Sequence, residues 1–203
     1  MSSSIIIEDV LEIRKRGLAS LAFFYCDFRD VNKKNLRGLV SSLLLQLFDH
    51  SGSYATVFSK FYSAHGDGSR EPSDGELIEC LKNMLKRPGQ APVYIIIDGL
   101  DECSDTSGMP SPREKVLVFL ESLVDLHLQS LHICITSRPE VDIKTTIDRL
   151  PFQTVSLHDE SGQRQDIFNY VRSIVYTDAK MERWRLEDKE LVVDVLTRKA
   201  DGM

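Results

Sequence analysis

The sequence predicts an α/β protein: a parallel sheet with helices on both faces, followed by a small helical segment. Three observations carry that prediction. Short apolar runs of strand length, above all Val93–Asp98 and Leu131–Ile135, alternate with stretches whose apolar residues recur every three or four positions. Loops rich in Gly, Pro and Ser separate them, and strands joined through helices pair in parallel. After His158 the strand-like runs cease, and 163–175 and 186–198 read as amphipathic helices. The core is therefore placed over 1–158 and a helical lid over 159–203.

Each element has its own local reason. Residues 4–16 carry Ile6, Val10, Leu11 and Ile13 between charges, a helical spacing that Gly17 stops. The run 18–28 is largely apolar and rich in aromatics, as a strand covered on both faces should be, and Asp27 marks its end. Leucines at 36, 39, 43, 44 and 47 mark a helix over 35–50, and 54–62 is a shorter one. The polar, glycine-containing stretch 65–72 is a loop. Ser73 followed by Glu76 is a capping box opening a helix that Pro88-Gly89 ends. Val93–Asp98 is the clearest strand. Ser111-Pro112-Arg113-Glu114 offers a capping serine, a proline at the first helical position and an early acid, so a helix runs to about 127. Leu131–Ile135 is a strand, 140–150 a helix, and 154–157 a weaker strand.

Composition narrows the function classes. The chain has 203 residues, 42% hydrophobic and 28% charged, typical of a soluble globular protein large enough for one core and part of another. No apolar run approaches the roughly 20 residues of a membrane span, and the N-terminus lacks the basic leader of a signal peptide. Cys26, Cys80, Cys103 and Cys134 are widely spaced without metal-ligand spacing, and Cys26 and Cys134 sit in apolar runs as small hydrophobes. A reducing, cytoplasmic setting is expected. The net charge of −6 and the lack of a basic stripe argue against nucleic acid as partner.

Chemistry concentrates at two strand ends. Tyr94-Ile95-Ile96-Ile97-Asp98 discharges into Gly99-Leu100-Asp101-Glu102, and in parallel sheets ligands bind beyond the carboxyl ends of the strands. Asp98 there can hold Mg²⁺ through water, and Asp101 and Glu102 can orient or deprotonate a water. A solvated acidic junction is the alternative. Ile133-Cys134-Ile135-Thr136-Ser137-Arg138-Pro139 ends likewise in polar groups. If the two strands are neighbours, Thr136, Ser137 and Arg138 share the crevice, and hydroxyl and guanidinium can meet a γ-phosphate. Arg138 could instead pair with a nearby Asp. No segment matches G-x-x-x-x-G-K-[ST], the backbone cradle that grips phosphates; 65–69 has two glycines but no Lys. The opening residues read as the body of a helix with no strand before it.

The pairing of Asp98-Gly99-Leu100-Asp101-Glu102 with Thr136-Ser137-Arg138-Pro139 resembles the NACHT class of STAND signalling NTPases. The nearest likeness is to fungal members described as nephrocystin-3-like N-terminal domains. It continues through Phe24-Tyr25-Cys26-Asp27-Phe28-Arg29, the leucine-rich 36–46, and Asp166-Ile167-Phe168-Asn169-Tyr170-Val171. The resemblance implies a three-layer P-loop NTPase (ASCE-type) sheet without its first strand, cut after the Walker A motif. Asp98 would be the Walker B acid at the Mg²⁺ site, Asp101 and Glu102 the acids beside the water, and Arg138 the sensor. Thr136 and Ser137 would contact nucleotide. It also implies ATP or GTP as ligand of the intact parent, self-oligomerisation or protein partners, slow hydrolysis as reset, and a role in self/non-self recognition or defence. Without the cradle, the chain itself is expected to be inactive.

Two rivals stand beside this reading, a nucleotide-controlled signalling switch. One is a nucleotide-free protein-interaction module. The other is a metal-dependent nuclease on Asp98, Asp101 and Glu102, which would want a basic groove the acidic composition does not offer. The five histidines are read as packing or surface residues, and Trp184 as an anchor of the helical tail.

Overall fold

Three strands, β1 (Ser20–Tyr25), β2 (Val93–Asp98) and β3 (Leu131–Ile135), pair in parallel in the order β1–β2–β3. Around them run α1 (Ser2–Lys15), α2 (Leu36–His50), α3 (Gly52–Ala64), α4 (Asp74–Leu85), α5 (Pro112–Val124) and α6 (Val141–Ile147). Two more helices follow, α7 (Ser161–Thr177) and α8 (Leu186–Lys199). The computed structural model describes residues 2–50, 52–105, 108–155 and 161–199. They fall into two compact units, Met1–Pro151 and Phe152–Met203.

Side chains alternate across a pleated strand, so in-register pairing sorts the three strands into two faces. Ala22, Ile95 and Ile133 line up on one face, as do Phe24, Ile97 and Ile135. This face meets Leu39, Leu43 and Leu47 of α2, Leu81 and Met84 of α4, and Val116 and Leu120 of α5. Ile95 and Ile97 are fully buried there, each worth about 1.5–3 kcal/mol in apolar area withdrawn from water. On the other face, Leu21 and Ile96 lie beneath Ile7 and Val10 of α1. Phe23, Tyr94 and Cys134 are only half-buried on that side, and the Tyr94 ring stacks on exposed His132 at 4.7 Å. Helices thus cover both faces, as expected, but unequally.

The local signals locate the helix starts. Ser73 accepts from the Glu76 N–H while Glu76 accepts from the Ser73 N–H, the capping box that opens α4. Ser111 and Glu114 do the same for α5, with Pro112 at its first position. Gly17, at φ +72°, ends the turn after α1 in a conformation that side chains resist. His65 is buried, its Nδ1 2.7 Å from the Phe61 carbonyl oxygen, in line with a packing role.

Three boundaries differ from expectation. The strand expected over 18–28 is only Ser20–Tyr25, because its partner β2 stops at Asp98, opposite Tyr25. There Gly99, at φ +70°, turns the chain into a 3-10 turn, Leu100–Glu102, and only Cys26 N–H still reaches the Asp98 carbonyl, at 2.9 Å. The helix expected over 140–150 is the shorter α6, closed by Asp148 and running into turns before Pro151. Of the strand expected over 154–157, Thr154 and Val155 lie in irregular chain and the rest falls outside the described residues. The sheet among the described residues therefore has three strands. The 158/159 boundary also lies outside them.

In the second unit α7 and α8 bury Val175 and Val193. The Arg172 guanidinium lies over the rings of Phe168 and Tyr176, at 5.9 and 5.8 Å. Among the described residues no helix is long and apolar enough to cross a membrane.

Candidate functional site

Strand register alone decides which polar groups meet at the carboxyl end of the sheet. Ile97 pairs with Ile135, so the next residues, Asp98 and Thr136, leave neighbouring strands side by side and on the same face. Their side chains touch: Thr136 Oγ1 donates to Asp98 Oδ1 at 2.5 Å. The Gly99 N–H donates to Thr136 Oγ1 at 3.0 Å, so the threonine hydroxyl is held between the two strand ends. Backbone bonds from Thr136 N–H to Ile97 O and from Leu100 N–H to Thr136 O lock the crossing.

One turn on, Asp101 receives the second strand's tail. Its Oδ1 accepts the Arg138 N–H at 3.0 Å and lies 3.4 Å from the Ser137 hydroxyl, while Oδ2 is 3.5 Å from Arg138 Nε. The Arg138 side chain is 83% exposed against 12% for Asp101, so this is a rim contact whose charge term water weakens. Glu102 turns the other way and accepts the Phe28 N–H at 3.3 Å, clasping the loop after β1. In that loop the Arg29 guanidinium holds the Asp27 carboxyl at about 2, well below the usual range.

All six residues singled out from the sequence (Asp98, Asp101, Glu102, Thr136, Ser137 and Arg138) therefore occupy one rim. Arg138 takes the alternative left open for it, a pairing with Asp101. Arg113 was legible only as part of a cap. Its guanidinium is buried, and it donates from Nε to the Cys103 carbonyl at 3.0 Å and from Nη2 to the Asp101 carbonyl at 2.6 Å. It fixes the acidic turn from beneath and reaches Asp142 of α6 at 3.4 Å. The apolar stripe of α5 gave no hint of this, since a charged residue beside a helix start usually faces water. Cys26 and Cys103 were likewise unlinked in the sequence; they meet just below the turn.

Among the described residues no group of three or more His, Cys, Asp or Glu side chains is placed to hold a metal ion. A magnesium ion needs fewer protein ligands, because it keeps its waters and binds through one or two carboxylates plus phosphate oxygens. Asp98, with its rotamer fixed by Thr136, fits that limited role. In the first unit a cavity of about 460 Å³ lies away from the rim, between α3 and α4; the second unit has one of about 770 Å³ between α7 and α8.

The family model described as Nephrocystin 3, N-terminal matches residues 1–138, ending on Arg138 and so spanning the whole rim. No curated protein and no solved structure matches the chain. The match covers more than half of the sequence, and the chain belongs to the nephrocystin 3 N-terminal family.

Proposed function

We propose that this member of the nephrocystin 3 N-terminal family is the metal- and γ-phosphate-facing part of a NACHT-type STAND P-loop NTPase, an oligomerising switch controlled by ATP or GTP. The observation that supports this most is the Thr136–Asp98 bond at the carboxyl ends of two paired parallel strands, where such sheets bind ligands. Asp98 is the residue that would hold Mg²⁺, which would neutralise phosphate charge there. Thr136 orients Asp98, and Ser137 lies exposed beside it. Asp101 keeps Arg138 at the rim, from which an exposed guanidinium can swing to a phosphate and release the aspartate toward water. Glu102 stays with the β1 loop and transmits its position to the turn.

A second reading, a nucleotide-free interaction module, is favoured by two facts. Arg138 is already paired with Asp101, and the 203 residues contain no G-x-x-x-x-G-K-[ST] cradle. Titrating fluorescent ATP and GTP analogues into the natural protein that carries these residues, with Mg²⁺ or with EDTA, separates the readings. The switch predicts Mg²⁺-dependent binding that Asp98→Asn weakens about tenfold or more, a loss of about 1.4 kcal/mol. Unchanged metal dependence in that variant removes Asp98 from the role, and no binding of either nucleotide at millimolar concentration leaves the interaction module. The 203 residues alone should bind only in the millimolar range or weaker.

A further inference from the structure

All four cysteines are free thiols, and two of them touch. Cys26 follows β1 and Cys103 closes the acidic turn through its N–H to the Leu100 carbonyl; their sulfurs lie 3.6 Å apart across 77 residues of sequence. Both belong to the sealed face of the sheet, at 7% and 1% exposure, directly under the turn that carries Asp101 and Glu102. A disulfide needs the sulfurs at about 2.05 Å, about 1.5 Å closer than they stand. The other two thiols lack such a neighbour among the described residues.

We propose that Cys26 and Cys103 form a reversible disulfide-forming site that fastens the end of β1 to the acidic turn. The co-reactant is a low-molecular-weight disulfide. One thiol of the pair, on losing its proton, attacks one sulfur of that reagent and expels the other half as a thiolate, which takes up a proton. The second thiol, on losing its own proton, then attacks the first cysteine's sulfur in the mixed disulfide and expels the second half, which likewise takes up a proton. Two protein S–H bonds are lost, one S–S bond is gained, and the reagent becomes two thiols. Arg113 holds the carbonyls of both Asp101 and Cys103, so a pull on the sulfur is carried to the whole turn. The site stands whether or not the rim takes nucleotide.

The test treats the folded chain with glutathione disulfide, blocks remaining thiols with N-ethylmaleimide and maps the peptides without reduction. The expected product is a monomer with one link between the peptides carrying Cys26 and Cys103, two of four thiols lost, and recovery with dithiothreitol. Closing so long a loop should raise the melting temperature by about 5–10 °C. A Cys80→Ser, Cys134→Ser double variant should behave identically, which keeps the test open if single replacement of Cys26 or Cys103 prevents folding. Mixed disulfides that never close, links through Cys134, links between chains, or a Cys26–Cys103 link formed only in urea would each overturn the site.

Discussion

On one face of the sheet Ala22, Phe24, Ile95 and Ile97 meet α2, α4 and α5 and are lost to solvent; on the other, Leu21 and Ile96 meet α1 while Phe23, Tyr94 and Cys134 stay half-exposed. The same strands supply both faces, so the difference lies in what each face is given to touch. The sealed face is apolar up to its last layer, where even the thiols of Cys26 and Cys103 are buried. The half-open face ends in Asp98 and Thr136. Alternation therefore puts the Asp98 carboxylate and its hydroxyl partner on the side nearer water, and keeps the charge out of the low-dielectric interior that would penalise an ion. Stability should reside on the first face and chemistry on the second.

The largest test of that division is a matched pair of truncations on β2. Ile97→Ala should cost about 3–4 kcal/mol in urea unfolding, the transfer term plus an unfilled cavity, while Tyr94→Ala on the half-open face should cost about 1 kcal/mol. Equal losses would show that α1 seals its face as well as three helices seal the other. Next comes the rim. Thr136→Val removes the hydroxyl shared by Asp98 and the Gly99 N–H and should cost about 1–2 kcal/mol, with Thr136→Ser restoring most of it. A silent Thr136→Val would mean the bond does not organise the rim.

The smallest effect concerns the sealed layer's helix start. The Ser73 N–H, the Arg70 guanidinium and the Ser73 hydroxyl hold the Glu76 carboxyl at about 2, against 4.5 for the free group. A depressed carboxyl stabilises the fold fully above pH 4.5 and loses that contribution as pH falls toward 2. The stability gap between wild type and Glu76→Gln should therefore close as pH falls from about 4.5 toward 2. A gap that widens in acid would contradict the capping geometry.

The local grammar was legible because it depends on neighbours in sequence. Ser73 with Glu76, and Ser111 with Pro112 and Glu114, cap helices through contacts three residues apart, and the sequence displays both partners. The rim was legible for a related reason: once β2 and β3 are adjacent, parallel and in register, Asp98 and Thr136 can go nowhere else. Strand 18–28 was overextended because a strand's length is set by its partner, and β2 ends opposite Tyr25. Arg113 was missed because its acceptors, the carbonyls of Asp101 and Cys103, belong to a turn whose path no pattern of side chains encodes.

By itself, then, the sequence determined the alternation of strands and helices, their capped starts and the polar identity of the two strand ends, all of which follow from periodicity and short-range hydrogen bonding. Only the tertiary structure decided that Arg138 turns to Asp101, that Cys26 lies against Cys103, and that one sheet face is sealed while the other is half open. These depend on distances between residues tens of positions apart, and such distances are fixed by packing in three dimensions.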